Sequence, residues 1–317
     1  MSLPSRIEIR EEGPREGFQF EKGEIPTARK IALIDALSET GLRHIQTVSF
    51  VDARRVPGMA DAEAVCAGIT PRPGVAYNAL WLNAKGFLRA LVTPNVALEG
   101  SVSVSASEVF GRRNQNRDRE QDLAAAAALM ALYAEHRVPL RRITVMAAFG
   151  CNFQGEVPIP AVLDRAEALL ALAGGAGLTA GPQRPYLSLA DTMAWATPLS
   201  IQRVVGAVRQ KWPDLEISLH LHDTRGMAMA NAWAGLQMGV ARYDAAIAGL
   251  GGCPFAKHAG AAGNICTEDL ALLCAESGVA TGLDLDALIE AGRLAEDVVG
   301  HPLPGRVKQG GKLVARA

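Results

Sequence analysis

The run Glu216-Ile217-Ser218-Leu219-His220-Leu221-His222-Asp223-Thr224 is apolar and extended in character until it closes on two imidazoles, a carboxylate and a hydroxyl. Alternate residues of a strand point to one side, so His220 and His222 share a face. The flanking segments 199–212 and 227–238 carry apolar residues at helical spacing. A strand set between two helices, with polar groups gathered at its C-terminal end, is the repeating unit of a parallel α/β sheet.

The same rhythm runs outward through the chain. Strand-like runs fall at 6–10, 44–50, 74–81, 100–105, 142–148, 186–190, 216–222 and 243–248, and helical patterns at 27–40, 117–136, 161–173, 199–212 and 227–238. Thr27 and Thr267 read as N-caps, and Gly41, Gly239 and Gly278 stand where helices should stop. Eight βα units over about 250 residues predict an α/β fold, a single TIM (β/α)8 barrel. The barrel is expected over residues 1–283, with the segments 57–69 and 83–91 less regular. A last helix over 285–299 belongs to an extension, 284–317, packed on the barrel or on a partner subunit, with a mobile Gly/Pro/Lys tail.

The 317 residues are 49% hydrophobic with a net charge of -1, which gives no electrostatic footprint for nucleic acid or an anionic membrane. The first residues lack the apolar core of a signal peptide, and the Ala-rich run 123–132 is too short to span a bilayer. Five scattered cysteines in apolar or glycine-rich settings read as reduced thiols of a cytoplasmic protein.

In a barrel, reactive side chains come from the C-terminal ends of strands and the loops after them. Three motifs occupy such places. His220 and His222 can share a metal ion or form a hydrogen-bonded strand end. Gly13-Pro14-Arg15-Glu16-Gly17-Phe18-Gln19 follows the first strand; it offers a carboxylate and a fixed cation, or else is a surface turn. Gly249-Leu250-Gly251-Gly252-Cys253-Pro254 follows the last strand and precedes Gly263-Asn264 and Thr267-Glu268. A glycine-rich loop there can approach a substrate closely and move.

Together and in this order, these motifs resemble the 3-hydroxy-3-methylglutaryl-CoA lyase branch of the metal-dependent lyase and Claisen-synthase barrels. The resemblance also covers Ser49-Phe50-Val51, Asn83-Ala84-Lys85-Gly86-Phe87, Phe149-Gly150-Cys151 and Leu189-Ala190-Asp191-Thr192. It implies a divalent cation, Mg²⁺ or Mn²⁺ ahead of Zn²⁺ or Co²⁺, held by Glu16, His220, His222 and Asn264. It also implies that Arg15 stabilises an enolate oxygen, that Cys253 transfers a proton, and that Asp191 and His220 stand by the reacting groups. Gln19 and Glu268 would be supporting residues, with Lys85 and the Arg54-Arg55 pair weaker candidates for CoA phosphates. The partners implied are an acyl-CoA substrate and a second copy of the chain.

Two positions depart from the family pattern. Glu16 stands where the lyases carry aspartate, which keeps the ligand type with one more methylene. Gln46 stands where they carry a glutamate near the arginine, and an amide holds no negative charge. The segment 257–262 is also slightly longer than the usual loop, and it brings His258. The expected reaction is a retro-Claisen cleavage of 3-hydroxy-3-methylglutaryl-CoA. A citramalyl-CoA lyase, a Claisen-condensing acyltransferase and a non-catalytic metal- or CoA-binding relative are the alternatives.

Overall fold

The computed structural model describes residues 3–21, 23–179, 184–252 and 263–313. Among them are eight strands: β1 (Glu8–Glu11), β2 (His44–Ser49), β3 (Ala76–Leu80), β4 (Gly100–Ser105), β5 (Leu140–Met146), β6 (Tyr186–Asp191), β7 (Ile217–Leu221) and β8 (Arg242–Ala245). Helices separate them in sequence, as the βα rhythm requires. The chain divides into two compact units, one made mainly of residues 98–242 and the other of 4–81, 86–97 and 243–317.

In the first unit β4, β5, β6 and β7 pair in parallel, with Val102 opposite Ile143, Ile143 opposite Leu187 and Ala190 opposite His220. Every residue of β6 and β7 is buried, as expected of parallel strands covered on both faces. The helix Arg119–Glu135 starts with a reciprocal capping box between Asp118 and Gln121, and Pro198–Lys211 with one between Thr197 and Ser200. The helix Ala228–Gln237 stops before Gly239, whose φ of +75° suits glycine.

In the second unit β1 pairs with β2, and β2 with β3, again in parallel. Gly13–Phe20, open to reading as a surface turn, is a helix whose first six residues are buried. Pro14 sits in its first turn, where a missing N–H costs nothing. A Cβ on Gly17 would fall 2.2 Å from Leu250 Cγ, so this helix meets the turn after β8 at a distance that excludes a side chain.

Several expectations are corrected. Thr27 and Thr267 are first helical residues rather than N-caps, and each gives its hydroxyl to a distant carboxylate, Asp61 and Glu11 respectively. The eighth strand ends at Ala245, and Ile247–Gly249 turns into a 3-10 helix with Ala248 at φ +55°. The segments expected to be irregular contain the helices Ala62–Gly68 and Ala84–Leu91. The helix Leu285–Val299, expected to be the last, packs on Thr27–Ser38 and Thr267–Glu276 of its own unit and is followed by a short helix, Val307–Gly310. The tail after it is anchored through residue 310. Lys308 is 1% exposed, donates to the carbonyls of Leu303 (2.7 Å) and Gly305 (2.5 Å), and pairs with Glu296 at 3.2 Å.

Glu11 ties β1 to the second half of its unit. It is fully buried and accepts bonds from Gly13 N (2.7 Å), Ile247 N (2.9 Å) and Thr267 Oγ1 (2.5 Å). Burial pushes its pKa from 4.5 up to about 7 against the pull of those donors. The folded chain therefore holds this proton more tightly than the unfolded one. Its stabilising effect is complete below about pH 4.5 and is lost as the pH rises through about 7. Glu11→Gln keeps an acceptor but does not titrate. It is expected to flatten the stability-versus-pH curve over this window by roughly 1–3 kcal/mol relative to the parent. Denaturation midpoints measured at several pH values check this, and parallel curves would assign the titration elsewhere.

Candidate active site

In the second unit, the end of β1 and the helix after it gather charge. Arg15 is 9% exposed. Its Nη2 donates to Glu12 Oε2 at 2.6 Å, its Nη1 to Glu16 Oε1 at 3.0 Å, and its Nε to Gln46 Oε1 on β2. Three acceptors on one planar fork fix the guanidinium before any substrate arrives. Glu16 Oε2 in turn accepts from Asn264 Nδ2. Asn264 is buried, and its Oδ1 has no hydrogen-bond partner among the described residues. A buried amide oxygen without a donor is costly and suits a hard cation.

Gln19 accepts a bond from Ser49 Oγ at 2.8 Å, which fixes it against the end of β2. Glu268 is fully buried. Its Oε2 accepts from Ala248 N at 2.9 Å and holds the left-handed turn after β8, while burial raises its pKa to about 7.

In the first unit, His220 and His222 are buried at the end of β7, with their Nε2 atoms 3.1 Å apart and their rings tilted by 54°. Two ring nitrogens can meet this closely when one donates to the other, or when both aim at a shared electrophile. Asp191 ends the neighbouring β6, opposite Leu221. Its Oδ1 accepts from Trp195 N (2.7 Å) and Ala196 N (3.0 Å), and its Oδ2 has no hydrogen-bond partner among the described residues. Burial pushes this carboxyl up to about 7, opposed by those two bonds and by the charge of His220. Arg225 braces the same loop by donating to Met193 O (2.7 Å) and Ala194 O (2.8 Å).

Arg15, Glu16, Gln46 and Asn264 thus form one bonded cluster, and His220, His222 and Asp191 lie together on adjacent strand ends. Lys85 is exposed, and Arg54 is exposed with its guanidinium tied to Asp52 at 2.9 Å. Cys253 and the segment 257–262 lie outside the described residues. Sequence reasoning missed Glu11, Glu12 and Arg225. The available signal for Glu12 was its place three residues before Arg15, which becomes a contact only if a helix starts at Gly13.

A family model described as HMGL-like matches residues 6–295. The mitochondrial hydroxymethylglutaryl-CoA lyase of Gallus gallus is 37% identical over 308 residues, which cover 97% of this chain and 98% of that one. The solved structure of the Bacillus subtilis HMG-CoA lyase superposes with a TM-score of 0.89 at 35% identity, covering 98% of this chain and 99% of the other. A structure of an HMG-CoA lyase from Acinetobacter baumannii in complex with coenzyme A and 3-methylmalate gives 0.87 at 34% identity, covering 100% and 99%. These likenesses, with eight parallel strands and their helices, give the chain the α/β TIM-barrel fold expected from its sequence.

Proposed function

Because the chain belongs to the HMGL-like family, we propose that it cleaves 3-hydroxy-3-methylglutaryl-CoA into acetyl-CoA and acetoacetate. The observation that carries this reading is the likeness to hydroxymethylglutaryl-CoA lyases over nearly the full length of both chains.

We assign Glu16, His220, His222 and Asn264 as the residues that would hold a divalent cation. Two imidazoles, a carboxylate and an otherwise unsatisfied amide oxygen are a donor set that fits Mg²⁺ or Mn²⁺. When bound, such a cation would supply Lewis acidity toward the substrate's oxygens. Asp191, at the strand end beside the histidine pair, takes the proton of the tertiary hydroxyl. The hydroxyl oxygen then becomes the ketone of acetoacetate as the bond between the α and β carbons breaks. The electron pair of that bond passes to the CoA thioester as an enolate. Arg15, already fixed by three acceptors, presents its positive charge to the enolate oxygen at no reorganisation cost. Cys253 donates the proton that completes acetyl-CoA.

No helix among the described residues is long and apolar enough to cross a membrane. The working form is proposed to be a cytoplasmic homodimer, the state to be read by light scattering. The free, buried thiols of Cys66, Cys151, Cys266 and Cys274 support a reducing compartment.

A panel of 3-hydroxyacyl-CoAs, incubated with Mg²⁺ or Mn²⁺ and read by mass spectrometry, tests the function. Acetyl-CoA and acetoacetate from the hydroxymethylglutaryl thioester are expected. Turnover of another panel member alone, or consumption of acetyl-CoA with a 2-oxo acid, would overturn it. A thiol reagent adds a second expectation. Alkylation at Cys253 should abolish turnover, and substrate with metal should slow it. Burial raises the thiols of Cys66 to about 11 and Cys274 to about 12, and that of Cys266 well above its ordinary value, so these three should stay unmodified on the same timescale. Peptide mapping decides, and full activity after stoichiometric labelling of Cys253 would remove it from the mechanism.

A further inference from the structure

The six residues Glu11-Glu12-Gly13-Pro14-Arg15-Glu16 hold three carboxylates and one guanidinium. Glu11 is committed to backbone amides and Thr267. Glu16, on the reading above, is committed to a cation. Gln46 reaches Arg15 with a neutral amide. A buried guanidinium needs a full countercharge close by, because an unpaired buried ion costs several kcal/mol. Glu12 is placed to supply it.

Its backbone leaves no slack. Glu12 N donates to Ala245 O at 2.8 Å, and Glu12 O accepts from Glu16 N at 2.8 Å as the helix begins. Gly13 and Pro14 then carry the chain through the first helical turn, so residues 12 and 15 face one another. The side chain is 2% exposed, and its 2.6 Å bond to Arg15 is shorter than the 3.0 Å bond from Arg15 to Glu16. Charge-assisted bonds of that length are the strong ones.

We propose that Glu12 is the positioning carboxylate of Arg15. It carries the negative charge that Gln46 lacks, and it holds the guanidinium so that Glu16 stays available as a ligand. The arginine's charge is thus balanced from the N-cap of its own helix instead of from β2. This rests on the reading that Arg15 faces a developing enolate and Glu16 a cation.

The test compares purified Glu12→Gln, Gln46→Glu and the double variant with the parent. Three quantities are read: kcat and KM for the hydroxymethylglutaryl thioester, the Kd for Mn²⁺ alone by electron paramagnetic resonance, and the thermal midpoint. Glu12→Gln is expected to lower kcat about tenfold, with KM within about twofold. It should also weaken Mn²⁺ binding severalfold, because Arg15 then leans on Glu16. Adding Gln46→Glu returns a carboxylate to the same guanidinium and should recover most of both losses without having to restore the thermal midpoint. Parental kcat and Kd in Glu12→Gln, or losses that the second substitution leaves in place, would overturn the proposal. If the parent releases no acetyl-CoA, the proposed function fails. The Mn²⁺ arm then still decides this inference, because an unchanged Kd counts against it and a rise reversed by Gln46→Glu supports it.

Discussion

His222→Ala is expected to leave a folded protein without stoichiometric metal and without measurable turnover. The substitution falls one residue beyond β7, whose pairing with β6 runs from Ile217 to Leu221 and involves no atom of the His222 ring. Secondary structure should therefore survive, and circular dichroism should match the parent. The loss is chemical. His220 keeps its place but loses the imidazole nitrogen 3.1 Å away, and the proposed donor set falls from two nitrogens to one. Removing even an outer partner of a metal ligand costs about 10- to 100-fold in affinity, so loss of the ligand itself should cost at least about 10². Metal analysis after dialysis against a low Mn²⁺ concentration reads the result directly. One bound ion per chain at parental affinity would take His222 out of the site and leave the pair as a hydrogen-bonded strand end. Glutamine at 222 is a useful companion, because it preserves bulk and a hydrogen bond but not imidazole coordination.

What the sequence made legible follows from what each signal depends on. The order of strands and helices depends on local periodicity, and β4 and the helix Leu285–Val299 fall on their expected bounds. The histidine pair was readable because alternation along a strand is also local. Thr27 and Thr267 were misread as caps for the opposite reason. Their hydroxyls are claimed by Asp61 and Glu11, 34 and 256 residues away, and nothing in a short window reveals such a partner. The turn after β8 is similar. Ala248 takes a left-handed conformation that alanine rarely adopts, held by Glu268 on its N–H and by Gly305 N on its carbonyl. The tail around Lys308 has the composition of a mobile end, yet three acceptors from nearby loops and a helix bury its ammonium. Glu12 lies between these cases. Its contact with Arg15 is local, but it exists only because Gly13-Pro14 opens a helix at a place where those two residues equally suit a turn.

Arg15→Ala should lower kcat by about 10²–10³ while changing KM much less, by analogy with removal of one preorganised donor to a developing oxyanion. In the ground state the thioester carbonyl carries only a partial charge. In the transition state for bond cleavage that oxygen approaches a full negative charge, so a fixed cation gains most of its interaction energy there. The three bonds to Glu12, Glu16 and Gln46 make the guanidinium a rigid presenter rather than a mobile arm, which is why the effect belongs in kcat. Truncation also removes the cation bonded to buried Glu12 at 2.6 Å, so part of any fall comes from a disturbed cluster. Arg15→Lys separates the two contributions. A lysine returns the positive charge to the cluster but lacks the planar fork that bonds three acceptors at once. Thermal stability should therefore recover in the lysine variant while most of the kcat deficit persists. A loss confined to KM in both variants would recast Arg15 as an anchor for a carboxylate or phosphate of the substrate. Recovery of kcat together with stability would mean that charge balance alone is what the site requires of this residue.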